Sequence, residues 1–139
     1  MLEKSACIVS YFHVNLGENG LRNLLIQVYG FMSWIGNVQN HFLGIYHKLN
    51  EICFSSNDPI VEFILFQGRD LEYVLDLKEK IRNIFGQGKG SIHITDNMEE
   101  TKQIARLIYN PNSLDHIKYA YPDKFLQSWN VCIKYKELL

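Results

Sequence analysis

The sequence predicts an α+β fold: a ferredoxin-like sandwich with helices packed on an antiparallel sheet, plus a C-terminal helix. Three observations predict it. Short apolar runs rich in β-branched and aromatic residues are interleaved with segments whose apolar residues recur at helical spacing. Taken in order, these segments read β-α-β-α-β-α-β-α. The composition, 47% hydrophobic and 21% charged over 139 residues, belongs to a chain able to bury a core of its own. No repeat, low-complexity stretch or linker interrupts it, so residues 1–139 read as one domain.

Each element has a local reason. Ala6–Phe12 is a short apolar run and reads as the first strand. His13–Gly20 holds Asn15, Gly17, Asn19 and Gly20 and reads as a loop. Leu21, Leu24, Leu25, Val28, Phe31 and Met32 define a helix over Leu21–Met32. Gly36 and Asn37 mark a turn before a second strand, Val38–Ile45, and a short helix, Tyr46–Phe54. Ser55–Pro59 is a turn, and Ile60–Phe66 after it is the best central strand. Asp70 is placed to cap a helix that runs to about Phe85, with Leu71, Val74, Leu75, Leu77, Ile81 and Ile84 on its apolar face. Gly86, Gly88 and Gly90 stop that helix, and Ser91–Thr95 follows as a short strand. Asn97 and Glu100 have capping-box spacing for the next helix, whose core face is Ile104, Ala105, Leu107 and Ile108. Beyond Asn110, turns are expected at Pro111 and Pro122, and a helix near Lys124–Leu138. Tyr119, Tyr121, Phe125 and Trp129 are available to cover the core or to make an oligomer contact.

Charge and cysteine content exclude several function classes. Fourteen Lys and Arg stand against fifteen Asp and Glu, a net charge of -1. No basic run points to nucleic acid or to an anionic membrane. Cys7, Cys53 and Cys132 are odd in number and lack zinc-ligand spacing. They lie among apolar neighbours and read as small buried residues in a reducing compartment. The start, Met1-Leu2-Glu3-Lys4, has no signal-peptide pattern, and no apolar stretch approaches a membrane span. A cytoplasmic location is the expectation.

One region has the makings of chemistry. If Ser91–Thr95 is a strand, Ile92 and Ile94 face the core while Ser91, His93 and Thr95 share the other side. His93 then stands on a rigid element just before a helix N-terminus, where backbone N–H groups favour anions. Arg82 and Lys89 bracket the glycine-rich turn upstream. A phosphate beside an imidazole suits this set, because a neutral imidazole nitrogen can attack phosphorus while cations stabilise the group in transfer. Taken alone, a histidine is more often an ordinary surface or core residue; His13, His41, His47 and His116 carry no further signal. No His, Cys, Asp and Glu spacing suggests a metal site.

The segments Pro59–Gly68, Lys80–Gly86 and Ser91–Asn97 together resemble the nucleoside-diphosphate kinase family over about residues 58–109. That family has a strand ending in Glu-Gly, a Thr-Ile-Arg segment before Phe-Gly, and the motif Asn-x-x-His-Gly-Ser-Asp-Ser. His93 falls on the histidine that carries the phosphoryl group, Arg82 on a phosphate-binding arginine, and Asp96 on the aspartate. Thr95 puts a hydroxyl where the family has serine. Gly90 and Ile94 replace the motif's asparagine and following glycine. The family's strand-end lysine has no counterpart in Ser10–His13, and its Thr-Asp/Asn-Pro loop is missing. Its histidine-orienting glutamate would fall near Ile104. The second phosphate arginine has no match, although Lys78 lies close.

The resemblance implies phosphoryl transfer from a nucleoside triphosphate through a phosphohistidine at His93. Arg82, Lys89, Thr95 and Asp96 would bind the substrate, Mg2+ would arrive with the nucleotide, and the chain would form an oligomer. The departures imply the alternative: an inactive kinase-like domain that binds a nucleotide or a protein partner.

Overall fold

A computed structural model describes residues 6–50, 60–86, 88–90 and 92–120. Cys53, Ser91, Cys132, the turns at Ser55–Pro59 and Pro122, and the helix expected at Lys124–Leu138 lie outside them, as do Tyr121, Phe125 and Trp129. The chain is α+β. In order the elements are β1 (Cys7–Asn15), α1 (Gly17–Tyr29), α2 (Leu43–Lys48), β2 (Ile60–Gln67), α3 (Leu71–Phe85), α4 (Met98–Ile108) and α5 (Pro111–Tyr119), with 3-10 turns at Ser33–Ile35, Val38–Asn40 and Gly88–Gly90. Their contacts divide into two compact units. One holds β1, β2, α3 and α4; the other holds α1, α2 and α5.

In the first unit β1 and β2 pair antiparallel, with Phe12 opposite Phe63 and Val14 opposite Val61. Alternation puts Phe12, Val14, Val61, Phe63 and Leu65 on the more covered face, while Tyr11, His13, Glu62 and Ile64 are exposed. Phe12 packs on Phe63 at 5.1 Å and on Tyr109, just after α4, at 5.4 Å between ring centroids. Among the described residues the sheet has these two strands. One expectation is corrected here: Cys7, the first residue of β1, is exposed rather than buried.

The helices of this unit follow their local signals closely. The Asp70 side chain accepts from Tyr73 N at 2.8 Å and starts α3. Gly86 ends it at φ 67°, with its N–H donating to Arg82 O. The Asn97 side chain accepts from Glu100 N at 2.9 Å and starts α4. The segment before α4 departs from expectation. Ile92–Thr95 belongs to no β ladder. Ile92 and Ile94 are half-buried as predicted, but so is Thr95.

In the second unit the predicted strand Val38–Ile45 is a 3-10 turn followed by α2. Asn37 and Asn40 cap each other reciprocally: the Asn37 side chain accepts from Gln39 N and Asn40 N, and Asn40 Oδ1 accepts from Asn37 N. That closes a turn where a strand would have to extend. Phe42, Ile45 and Leu49 are buried at helical spacing, so the apolar period is 3.6 and not 2. His41 and Phe42 both take left-handed backbone conformations, at φ 55° and 52°. Burial of Phe42 and donation from Arg22 Nη2 to His41 O at 2.8 Å hold them there.

The predicted loop His13–Gly20 is instead the end of β1 and the start of α1. Pro111 does not make a simple turn. It is the first residue of α5, where its missing N–H costs nothing, and Asn110 caps the helix by accepting from Asn112 N and Ser113 N. Within this unit α5 packs on α1. Gly20 permits the approach, since a β-carbon there would lie 3.1 Å from Lys118 Cα. Asn19 and Asn23, one turn apart on α1, donate to the last carbonyls of α5. Asn23 Nδ2 reaches Ile117 O and Ala120 O, both at 2.8 Å; Asn19 Nδ2 reaches Lys118 O at 3.1 Å and Ala120 O at 2.9 Å. Carbonyls that a helix end leaves without partners are thereby satisfied from the neighbouring helix. Tyr119, at the end of α5, is exposed.

Candidate functional site

The site is built on Ile92–Asp96, between α3 and α4. With no ladder to hold it, this stretch is held by side chains from both helices. From α3, Lys78 Nζ donates to Ile94 O at 2.9 Å and to Asp96 Oδ1 at 2.8 Å. From α4, the Glu100 carboxylate accepts twice: Oε1 from His93 Nε2 at 3.0 Å and Oε2 from Asp96 N at 3.1 Å. Thr101 donates its hydroxyl proton to Asn97 O at 2.9 Å, which leaves Thr95 to donate to Thr101 Oγ1 at 2.6 Å. Four consecutive residues, His93 to Asp96, are thus each held by a side chain of α3 or α4.

Electrostatics set the state of the imidazole. The His93 side chain is 27% exposed and that of Glu100 is 20% exposed. Burial pushes the His93 pKa below the usual imidazole value. The Glu100 carboxylate and its hydrogen bond oppose that shift, the Lys78 ammonium adds to it, and the Asp96 carboxylate opposes it. The balance leaves a neutral ring at pH 7. A carboxylate can only accept, so Nε2 carries the ring proton and the lone pair of the neutral ring sits on Nδ1.

The residues singled out from sequence meet this arrangement unevenly. His93, Thr95 and Asp96 lie together on the clamped stretch. Arg82 lies one turn beyond Lys78 on α3, an i,i+4 relation that puts both on one face. Its Nη1 donates to Glu79 Oε1 at 2.6 Å rather than pointing to an open site. Lys89 is exposed in the 3-10 turn Gly88–Gly90, and no hydrogen bond or ion pair among the described residues joins it to His93. Thr95 and Asp96 are engaged by Thr101 and Lys78. The anion site expected at the start of α4 is also taken up, since Asn97 and Glu100 themselves accept from Glu100 N and Asp96 N.

Two residues carry more of the site than the sequence suggested. The glutamate beside the histidine is Glu100, not a residue near Ile104. Its signal was present in the capping-box spacing, because a glutamate at the third helical position reaches back over the residues that precede the helix. Here it passes the cap residue and takes Asp96 N instead. Lys78 is 16 and 18 residues from Ile94 and Asp96, and no short-range pattern ties it to them.

Among the described residues no group of three or more His, Cys, Asp or Glu side chains is placed to hold a metal ion. Nor is any helix among them long and apolar enough to cross a membrane. Compared with family models, with curated proteins and with solved structures, the chain gives no match.

Proposed function

We propose that the chain transfers a phosphoryl group from a nucleoside triphosphate through a phosphohistidine at His93, as the resemblance to nucleoside-diphosphate kinases implies. One observation carries this reading: a neutral, partly buried imidazole whose Nε2–H is held by a carboxylate, within the field of an ammonium group. In the proposed step the Nδ1 lone pair attacks the terminal phosphorus. The N–P bond forms as the P–O bond to the leaving diphosphate breaks, and the electron pair of that bond leaves on the diphosphate oxygen. Glu100 stabilises the positive charge that develops on the ring. Transfer to an acceptor diphosphate is the same step reversed. Arg82, Lys89, Thr95 and Asp96 are the substrate-binding set, and Mg2+ comes as part of the nucleotide substrate. The frame for this chemistry is a ferredoxin-like sandwich in a cytoplasmic, self-associating protein; the contact of Phe12 on β1 with Tyr109, which caps the end of α4, supports the frame.

A second reading, a kinase-like domain that binds nucleotide or a protein partner without turnover, is favoured by the engagement of Lys78 and Arg82 with carboxylates. Incubation with γ-labelled nucleoside triphosphate separates the two. Transfer predicts an acid-labile, base-stable phosphoprotein that is lost in His93→Asn. Equal labelling of that variant would sink the proposal; thermal stabilisation by nucleotide with no labelling of either protein would select the binding domain.

A further inference from the structure

Large apolar side chains of the second unit stand exposed together where α1 gives way to the 3-10 turn Ser33–Ile35. Phe31 is 71% exposed, Met32 42% and Trp34 47%. They are not residues that the core failed to take up, because Ile35, Phe42, Ile45 and Leu49 of the same region are buried and support the surface from beneath. Main-chain bonds hold the turn: Met32 N donates to Tyr29 O at 2.8 Å and Ile35 N to Met32 O at 3.4 Å. The Trp34 ring packs on Tyr29, with 5.3 Å between ring centroids.

A cation stands over this pair of rings. Lys48 Nζ, in the last turn of α2, lies 5.2 Å from the Tyr29 centroid and 6.0 Å from that of Trp34. Arg22 is seven residues before Tyr29 on α1, so the two share a face of the helix; its Nη2 donates to His41 O. The cations of the first unit differ. Arg69, Lys78, Lys80, Arg82 and Lys102 are each paired with a carboxylate. Lys48 and Arg22 have no carboxylate partner among the described residues, and no Asp or Glu occurs in the sequence between Glu18 and Glu51. The balanced charge of the whole chain hides this local excess.

Composition and geometry together say what such a surface takes. Aromatic residues and Met are enriched, and Asp and Glu depleted, at the centres of protein–protein interfaces. Phe31 and Trp34 offer apolar area, and Lys48 offers ammonium donors at a position fixed by the two rings. A carboxylate arriving there makes a charge-assisted bond with no local acid to compete for the cation. A second copy of the chain, meeting this face with its own, would set like charges against each other with no acid to separate them. A membrane surface calls for a denser basic cluster than two cations. A polypeptide with an apolar anchor and a carboxylate near it satisfies both features at once.

We propose that Phe31, Met32, Trp34 and Lys48 form a docking surface for a segment of a partner protein that carries a large apolar side chain close to a Glu or Asp. The apolar side chain packs on Phe31 and Trp34, and the carboxylate accepts from Lys48 Nζ. The surface lies wholly in the second unit and does not depend on the chemistry at His93.

Selection of random peptides displayed on phage against the full chain tests it. The enriched peptides should share a Phe, Leu or Trp within a few residues of a Glu or Asp. A synthetic copy of the most enriched peptide should bind Phe31→Ser about tenfold or more weakly than the unaltered chain. Phe31 is exposed, so the thermal midpoint of that variant should not fall. Lys48→Glu should weaken binding by a similar factor, and changing the acidic residue of the peptide to Lys should restore it. If Lys48→Glu does not fold, Lys48→Gln takes its place and should weaken binding several-fold. No enrichment, enriched peptides without an acidic residue, or affinity unmoved by Phe31→Ser or by the substitution at Lys48 overturns the proposal. Sedimentation with vesicles of phosphatidylcholine and phosphatidylserine covers the other class of partner. Vesicle binding that is lost in Phe31→Ser, with no peptide enriched, would assign the face to a membrane and overturn the peptide dock.

Discussion

The stretch before α4 and the end of α5 solve the same problem by different means. In each, chain without a β ladder is held by side chains from a helix. At the end of α5 the holders are Asn19 and Asn23, neutral amides that donate to backbone carbonyls. Asn23 is fully buried. At His93–Asp96 the holders are Lys78 and Glu100, charged groups that reach both backbone and titratable side chains. The difference teaches where stability and where chemistry reside. A buried amide has no alternative partner, so its bonds serve the fold alone. A half-exposed ion pair is cheap to rearrange, and its field tunes a neighbouring imidazole.

The comparison breaks if the two regions respond alike to mutation and pH. The largest expected effect on stability lies at Asn23. Asn23→Ala removes two donations, the one to Ile117 O fully buried, and leaves Ile117 O short of its partner, which should cost about 2–3 kcal/mol. Urea denaturation measures it as a lower midpoint with an unchanged slope. Asn19→Ala should cost less, because neither of its bonds is fully buried.

A smaller effect at the His93 clamp should depend on pH. The folded protein holds the His93 pKa down, so the unfolded chain binds that proton more readily. This contribution is intact above the unfolded value of about 6.5. It is lost as pH falls through the lower folded value. The denaturation midpoint of the wild type should therefore drop on acidification, and the drop should shrink in His93→Asn. The penalty at Asn23 should keep its size over the same range, since an amide does not titrate.

The two regions also differ in how far the sequence disclosed them. Asp70, Gly86, Asn97 and Asn110 act within three or four residues, and the first three were legible as caps. The run Val38–Ile45 misled because apolar residues alone do not separate a strand from a buried helix. The reciprocal Asn37–Asn40 cap and the burial of Phe42, Ile45 and Leu49 decided for turn and helix. At the site, His93 could be singled out, and Glu100 was visible as a capping residue but not as the partner of the imidazole. Lys78 lies 16 and 18 residues from its acceptors. That contact depends on how α3 packs against the stretch before α4, which no local pattern encodes. Asn23 was missed for the same reason: its acceptors are 94 and 97 residues away.

The central claim is that burial sets the state of His93, with Glu100 opposing it and Lys78 adding to it. Titration of the His93 ring resonances by two-dimensional NMR tests it most directly. The wild type should titrate below the ordinary imidazole value of about 6.5. Glu100→Gln should move it lower still, because a carboxylate that favours the charged ring is gone, and Lys78→Met should move it up. A His93 that titrates at the ordinary value and ignores both substitutions would contradict the account.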